Sequence, residues 1–168
     1  MLLNCVLIVV LVVCALTDLL YRKIYNAVLL PALLFALIYN AYHCGWAGIW
    51  QSVLGLVVGL LILILPFAMG GMGAGDVKLL GVIGAFKGVP FVLYSAIGMG
   101  LAGGLIALGI WFHRFGVIDT IVGLLKGVWV MIRSGFTLFQ FRLHNEKIML
   151  PYGLAIALGA AGTLWWMR

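Results

Sequence analysis

Residues 2–21 read LLNCVLIVVLVVCALTDLLY and are followed directly by Arg22 and Lys23. An apolar run of about 20 residues is the length that an α-helix needs to cross the hydrocarbon core of a bilayer. The run contains a single charged residue, Asp18, which lies close to its basic end. This stretch is therefore predicted to be a membrane-spanning helix with a carboxyl group near one membrane face.

The rest of the chain repeats this apolar pattern. Mean hydropathy is +1.28, and charged residues make up 8% of the 168 positions. A soluble domain cannot hide so much apolar surface. We expect an all-α integral membrane protein in which residues 1–168 form one domain, a bundle of about six transmembrane helices. The apolar segments are 2–21, 27–44, 49–69, 77–89, 90–112 and 149–167.

The fourth segment, 77–89, is short for a full span. It is the first arm of a tight helical hairpin that turns before Pro90, or a half-helix that enters only part of the membrane. Proline suits the first turn of a helix, which favours the hairpin.

Basic residues set the predicted orientation. The net charge is +6, and the basic residues cluster in loops instead of forming a stripe, which indicates lipid headgroups and not nucleic acid as the partner. If the N-terminus is outside, eight of the ten basic residues are cytoplasmic, and only Lys87 and Arg168 are external. Cytoplasmic loops carry this excess in membrane proteins. The protein is predicted to be a multi-pass protein of the inner (plasma) membrane.

The long connection 113–148 has a helical charge pattern. Asp119, Lys126 and Arg133 are spaced seven residues apart, and apolar residues fill most positions between them. This pattern predicts an amphipathic helix lying in the interface between the last two spans. A seventh span is the alternative, but it would place Lys126 in the middle of the membrane.

Two residue types carry less information. Glycines at i and i+4 permit close helix packing, although 23 glycines make such pairs by chance as well. The pairs are Gly55 and Gly59, Gly84 and Gly88, Gly100 and Gly104, and Gly123 and Gly127. The cysteines, Cys5, Cys14 and Cys44, form no C-x-x-C motif, so neither a zinc knuckle nor a redox motif is indicated. We expect no metal and no cofactor.

Asp18 and Asp76 are the acids that lie where apolar segments meet polar ones. The charge-based topology puts both at the cytoplasmic face, on different helices. Two neighbouring carboxyl groups cannot both ionise readily, so one keeps a proton while the other acts as a base toward water. This is the chemistry of aspartic proteases. Gly73 and Gly75 precede Asp76 and leave its backbone open to an extended substrate, while Lys78 is expected to face the headgroups.

Each acid also has a simpler structural interpretation. Asp76 is a suitable N-cap residue. Its position at a helix start also exposes it to the positive end of the helix dipole, which favours the charged form. Asp18 and Arg22 have the i, i+4 spacing of a surface ion pair.

Three segments resemble the type IV prepilin peptidase family. Residues 17–26, TDLLYRKIYN, and 71–80, GMGAGDVKLL, resemble its two aspartate motifs, and residues 150–157, LPYGLAIA, resemble its last-helix motif. The resemblance implies a membrane aspartic endopeptidase that removes short basic leaders from prepilins, after glycine, at the cytoplasmic face. Asp18 and Asp76 would be catalytic. Gly73 and Gly75 belong to the Gly-x-Gly-Asp motif, and Lys78 belongs to the Val-Lys-Leu-Leu that follows it.

The chain departs from the family at two points. Tyr25 stands where the family usually has proline. The cytoplasmic domain with paired cysteines, which larger members carry and which is linked to N-methylation, has no counterpart here. The resemblance is therefore to the short, peptidase-only form found with tight-adherence pilus systems, and no N-methyltransferase activity is expected.

Two other functions share part of this pattern. A presenilin-type intramembrane protease shares Gly-x-Gly-Asp, but its aspartates are expected deeper within their helices. A small transporter or pilus-assembly scaffold could use the acids as a proton relay, but such a relay should have acids at membrane depth.

Overall fold

The computed structural model of the protein describes residues 2–115 and 152–167, with side chains in the first range described as far as Gly109. The described residues form helices joined by short connections, which confirms the predicted all-α class for this part of the chain. The helices are α1 (Leu2–Tyr21), α2 (Asn26–Ala68), α3 (Ala74–Lys87), α4 (Val89–Phe115) and α5 (Tyr152–Trp166).

Helix α2 reverses direction at Gly45. Its 43 residues would span about 65 Å if straight, roughly twice the hydrocarbon core. Gly45 has non-helical angles, φ 57° and ψ −140°. The Asn40 side-chain amide donates a hydrogen bond of 2.7 Å to the Ser52 hydroxyl, 12 residues further on. Such a bond requires the halves 26–44 and 46–68 to run side by side, as the predicted segments 27–44 and 49–69 require.

Helix α3 is the centre of the described bundle. Its apolar side chains are almost completely buried, including Leu79, Leu80, Ile83 and Phe86. It contacts α2 most extensively, and also α1 and α5. It begins at Ala74, three residues before the predicted segment 77–89, and ends before Gly88, which has φ 81°.

Glycines allow α2 and α3 to touch through their backbones. A Cβ on Gly55 would overlap the Gly84 carbonyl oxygen, and one on Gly59 would lie 2.6 Å from the Leu80 carbonyl oxygen. At Gly55, Gly59 and Gly84 the glycines therefore do serve close helix packing. Gly100 and Gly104 have no neighbour within 4 Å, while the pair Gly123 and Gly127 lies outside the described residues.

Helices α1 and α2 and residues 89–109 of α4 are long and apolar enough to cross a membrane. The protein is a helical membrane protein. The six-helix bundle stays a prediction, and from residue 116 the predicted interfacial helix 113–148 lies outside the described part. Met1–Gly103 and Pro151–Arg168 form one compact unit, and Gly104–Leu150 a second, so the single domain 1–168 also remains a prediction. The site described below lies in the first unit.

Candidate active site

A cavity of about 380 Å³ lies between the end of α1 and the start of α3. It brings together the two predicted acids and the two predicted glycines, which come from segments far apart in sequence. Among the described residues, no three His, Cys, Asp or Glu side chains converge on a possible metal position. The cavity is lined by Asp18, Arg22, Lys23, Ile24, Tyr25, Asn26, Gly73, Ala74, Gly75 and Asp76.

Asp76 is the third residue of α3, and Gly73 is the N-cap. The alternative that Asp76 is itself the N-cap is therefore wrong by three positions. Its carboxylate reaches back and accepts a hydrogen bond of 3.2 Å from the Gly73 N–H. The Asp76 N–H in turn donates to the Gly73 carbonyl, also at 3.2 Å. These bonds fix the carboxyl group at the first turn of α3.

The environment of Asp76 disfavours its charged form. The residue is only 8% exposed and precedes the apolar part of α3. The pKa of Asp76 is raised to about 6, mainly by burial and further by the negative charge of Asp18, while the hydrogen bond from the Gly73 N–H opposes the rise. The charge-favouring effect expected at a helix start is thus outweighed by desolvation.

Asp18 lies in the last turn of α1 and is half-buried. Its Oδ2 accepts a hydrogen bond of 2.8 Å from the Gly153 N–H in the first turn of α5. The described side chains of Asp18 and Arg22 form no ion pair. Arg22 instead has φ 51°, and its N–H donates to the Asp18 carbonyl oxygen at 2.8 Å, which ends the helix.

The two glycines before Asp76 have different surroundings. A Cβ on Gly75 would lie 2.9 Å from the Cβ of Ile24, so this glycine lets the segment after α1 pack against the start of α3. Gly73 is exposed, and a Cβ there would meet only the Asp76 carboxylate, at 3.3 Å, and the Gly75 nitrogen. Gly73 therefore keeps its backbone open beside the acid, whereas Gly75 has a packing role that its sequence position did not reveal.

Lys78 is exposed, as predicted, and its ammonium donates a hydrogen bond of 3.1 Å to the Asn26 side-chain oxygen. This bond ties α3 to the start of α2 beside the cavity. Tyr25, at the position of the usual family proline, is the N-cap of α2, with φ −85°. Its ring lies edge-on to Tyr21, with centroids 6.4 Å apart.

Sequence reasoning missed the contacts made by Asn26 and Gly153. Gly153 belongs to the segment that resembles the last-helix motif, but no spacing along the chain connects it with Asp18. The contact is purely tertiary, across 135 residues.

Comparison with known proteins identifies a family for this chain. The sequence profile of the type IV leader peptidase family matches residues 5–108, which include both aspartate motifs. No significant match was found among curated proteins or solved structures. Because the match covers more than half of the chain, the protein belongs to the type IV leader peptidase family.

Proposed function

We propose that the protein is a membrane aspartic endopeptidase that cleaves the short basic leader from prepilins, using Asp18, Asp76 and one water. Membership of the leader peptidase family implies a peptidase with prepilin-like substrates. The observation that carries the aspartic mechanism is the common cavity, in which Asp76 is buried and Asp18 half-buried. Two unlike environments suit a pair in which one carboxyl group keeps a proton.

The reaction needs one proton on the pair. The ionised carboxylate takes a proton from water as the water oxygen bonds to the peptide carbonyl carbon, and the protonated acid donates to the carbonyl oxygen. In the resulting diol, the first carboxyl group passes its proton to the leaving nitrogen as the C–N bond breaks. The second carboxylate recovers a proton from a diol hydroxyl as the carbonyl re-forms. The pair thus returns to its starting state with one proton.

The substrate is proposed to lie with its leader in water and its following apolar helix in the membrane. Hydrolysis requires an extended peptide at the cut, so the residue before it should be small, and glycine is the proposed residue. Arg22 and Lys23 line the cavity and would repel a basic leader. Anionic lipid, worth about 1 kcal/mol per basic residue near the surface, is the proposed attractor. Asp119 and Glu146 would contribute less.

The proposed setting is the inner membrane, with the N-terminus outside and the site at the cytoplasmic face. The protein is proposed to be a short, peptidase-only member that serves a tight-adherence type IV pilus, without N-methyltransferase activity or a cofactor.

The positions of the acids favour this function over the alternatives. Asp18 lies in the last turn of α1 and Asp76 in the first turn of α3, so both are at helix ends. A presenilin-type protease or a proton relay is expected to carry acids deeper within its helices.

Cleavage of a synthetic prepilin by the protein in liposomes tests the proposal. Asp18→Asn and Asp76→Asn should each reduce kcat/KM by roughly 10⁴-fold or more, and the double variant should be little worse, because the two groups act as a unit. The matched control is Asp119→Asn, which removes the same charge and should keep most of the activity. Substantial turnover by either single variant would contradict the assignment.

Substrate variants provide a second test in the same system. Replacing the glycine before the cut by valine should stop cleavage, whereas neutralising the leader lysines should only slow it. Efficient cleavage after valine would mean that the substrate is not a prepilin.

A further inference from the structure

Helix α5 begins directly at the carboxyl group of Asp18. The Gly153 N–H that donates to Asp18 Oδ2 belongs to the first turn of this helix, where N–H groups have no partner within the helix. The start of a helix also carries a partial positive charge. Both effects favour an ionised carboxylate at this position.

The two acids of the cavity are held differently. The bond to Asp18 is 2.8 Å long, whereas the bond from Gly73 to Asp76 is 3.2 Å. Asp18 is half-buried, but Asp76 is only 8% exposed. Desolvation therefore penalises a charge on Asp76 more, and the shorter hydrogen bond stabilises a charge on Asp18 more.

The contact with Asp18 leaves no room for a side chain at position 153. A Cβ at this position would lie 2.8 Å from Asp18 Oδ2 and 2.9 Å from both Cβ and Cγ of the same side chain. Glycine is otherwise a poor helix residue, and alanine would be preferred by about 1 kcal/mol in an ordinary helix. The absence of a side chain at 153 thus serves the approach of Asp18.

We propose that Gly153 is a positioning residue that holds Asp18 as the ionised general base, which leaves Asp76 as the general acid. This inference rests on the proposed peptidase function and adds to it the separate roles of the two aspartates.

Several other titratable groups surround Asp18. Asp76 faces it from α3, and Arg22 and Lys23 line the same cavity. Cys14 lies one turn earlier on α1, and Tyr152 begins α5. The two cations also stabilise a negative charge on Asp18, whereas an ionised Asp76 would destabilise it. The arrangement with the shared proton on Asp76 is therefore favoured.

The contact can be observed without any substitution. Tyr152-Gly153 is the single Tyr-Gly pair in the sequence, so ¹³C-carbonyl tyrosine combined with ¹⁵N-glycine labels this one amide for NMR. Its proton resonance should move downfield as Asp18 ionises with rising pH, because a carboxylate is the stronger acceptor. The movement should vanish in Asp18→Asn and persist in Asp76→Asn. An amide proton resonance that does not change with pH, or that still moves in Asp18→Asn, would overturn the proposal.

Kinetics then test the role of the contact. In Gly153→Ala, the acidic limb of the kcat/KM profile should move to higher pH, because a hydrogen bond to the carboxylate is lost, while the alkaline limb stays in place. Gly162→Ala is the matched control, because it makes the same change on α5 at an exposed site with no neighbour within 4 Å. Its pH profile should match that of the parent protein.

The outcomes separate two kinds of failure. A profile in Gly153→Ala that is lowered uniformly, or unchanged, would overturn the positioning role while leaving the peptidase intact. Cleavage by Asp18→Asn would instead overturn the proposed function itself. If Gly153→Ala does not fold, the pH dependence of the labelled amide decides alone.

Discussion

At Asp76, burial and a neighbouring charge act in the same direction. Both raise the pKa of this carboxyl group, from 3.8 to about 6, against the hydrogen bond from Gly73. A folded-state pKa above the unfolded value means that the folded protein binds the proton more tightly. The stability gained from this proton is fully present below about pH 3.8 and is lost as the pH rises through about 6.

Asp76→Asn should therefore be more stable than the parent above pH 6, by about 1–3 kcal/mol, since the amide cannot ionise. Below about pH 4 the two proteins should unfold at the same temperature, because the parent is then neutral at this position. Thermal unfolding in detergent at pH 4 and pH 8 measures the difference. Equal stability at both pH values would show that ionised Asp76 is not penalised in the fold.

At the scale of the helices, the reversal within α2 was predicted, because segment 27–44 ends directly before Gly45, whereas the start of α3 was predicted three residues too late. Arg22 and Lys23 follow α1 directly, and the predicted end at Tyr21 is correct. The reversal at Gly45 needs no polar loop, because one glycine with positive φ suffices. In contrast, Gly73-Ala74-Gly75 has no apolar periodicity, so the first turn of α3 could not be recognised.

In the candidate site, too, some features could be recognised from the sequence and others could not. Both aspartates were identified because an acid in an apolar chain is conspicuous, and because their surroundings resemble known motifs. Gly153 was not identified as a partner of Asp18, since a backbone N–H leaves no trace in the sequence. Tertiary contacts of this kind require coordinates.

The packing of α2 on α3 provides a prediction for these two helices. Gly84→Ala should destabilise the protein by at least about 1–3 kcal/mol, because the added methyl group would overlap the Gly55 backbone. Gly100→Ala on α4 makes the same change where no atom lies within 4 Å, and it should be neutral or slightly stabilising. Thermal unfolding of both variants in one detergent compares them. Equal stability would mean that α2 and α3 are not in backbone contact.

For the whole molecule, the contacts fix which connections share a membrane face. Residues 22–26 and 73–76 line one cavity, at the start of α3. The opposite end of α3 lies beside the Gly45 reversal, since Asn40 donates to the Ala85 carbonyl at 3.1 Å. The positive-inside rule then predicts that the cavity is cytoplasmic and the reversal external.

Cysteine labelling in intact cells tests this orientation, in a background without Cys5, Cys14 and Cys44. Trp46→Cys, at a position that is 80% exposed, should react with a membrane-impermeant reagent from outside. Gly71→Cys should react only after the cells are opened. External labelling of position 71 would reverse the topology and place both aspartates on the other side.

The shortness of α3 has a consequence for biogenesis. Its 14 residues reach about 21 Å, less than a hydrocarbon core of about 30 Å, and they include Asp76, Lys78 and Lys87. The translocon recognises long apolar segments, so α3 has little capacity to insert by itself. We therefore expect α3 to insert together with the preceding α2 hairpin, whose Gly55 and Gly59 contact its backbone. Substitutions at Gly55 or Gly59 should accordingly leave a fraction of the chains with α3 outside the bilayer, so quality-control proteases would remove chains of wrong topology as well as chains with a loosened bundle.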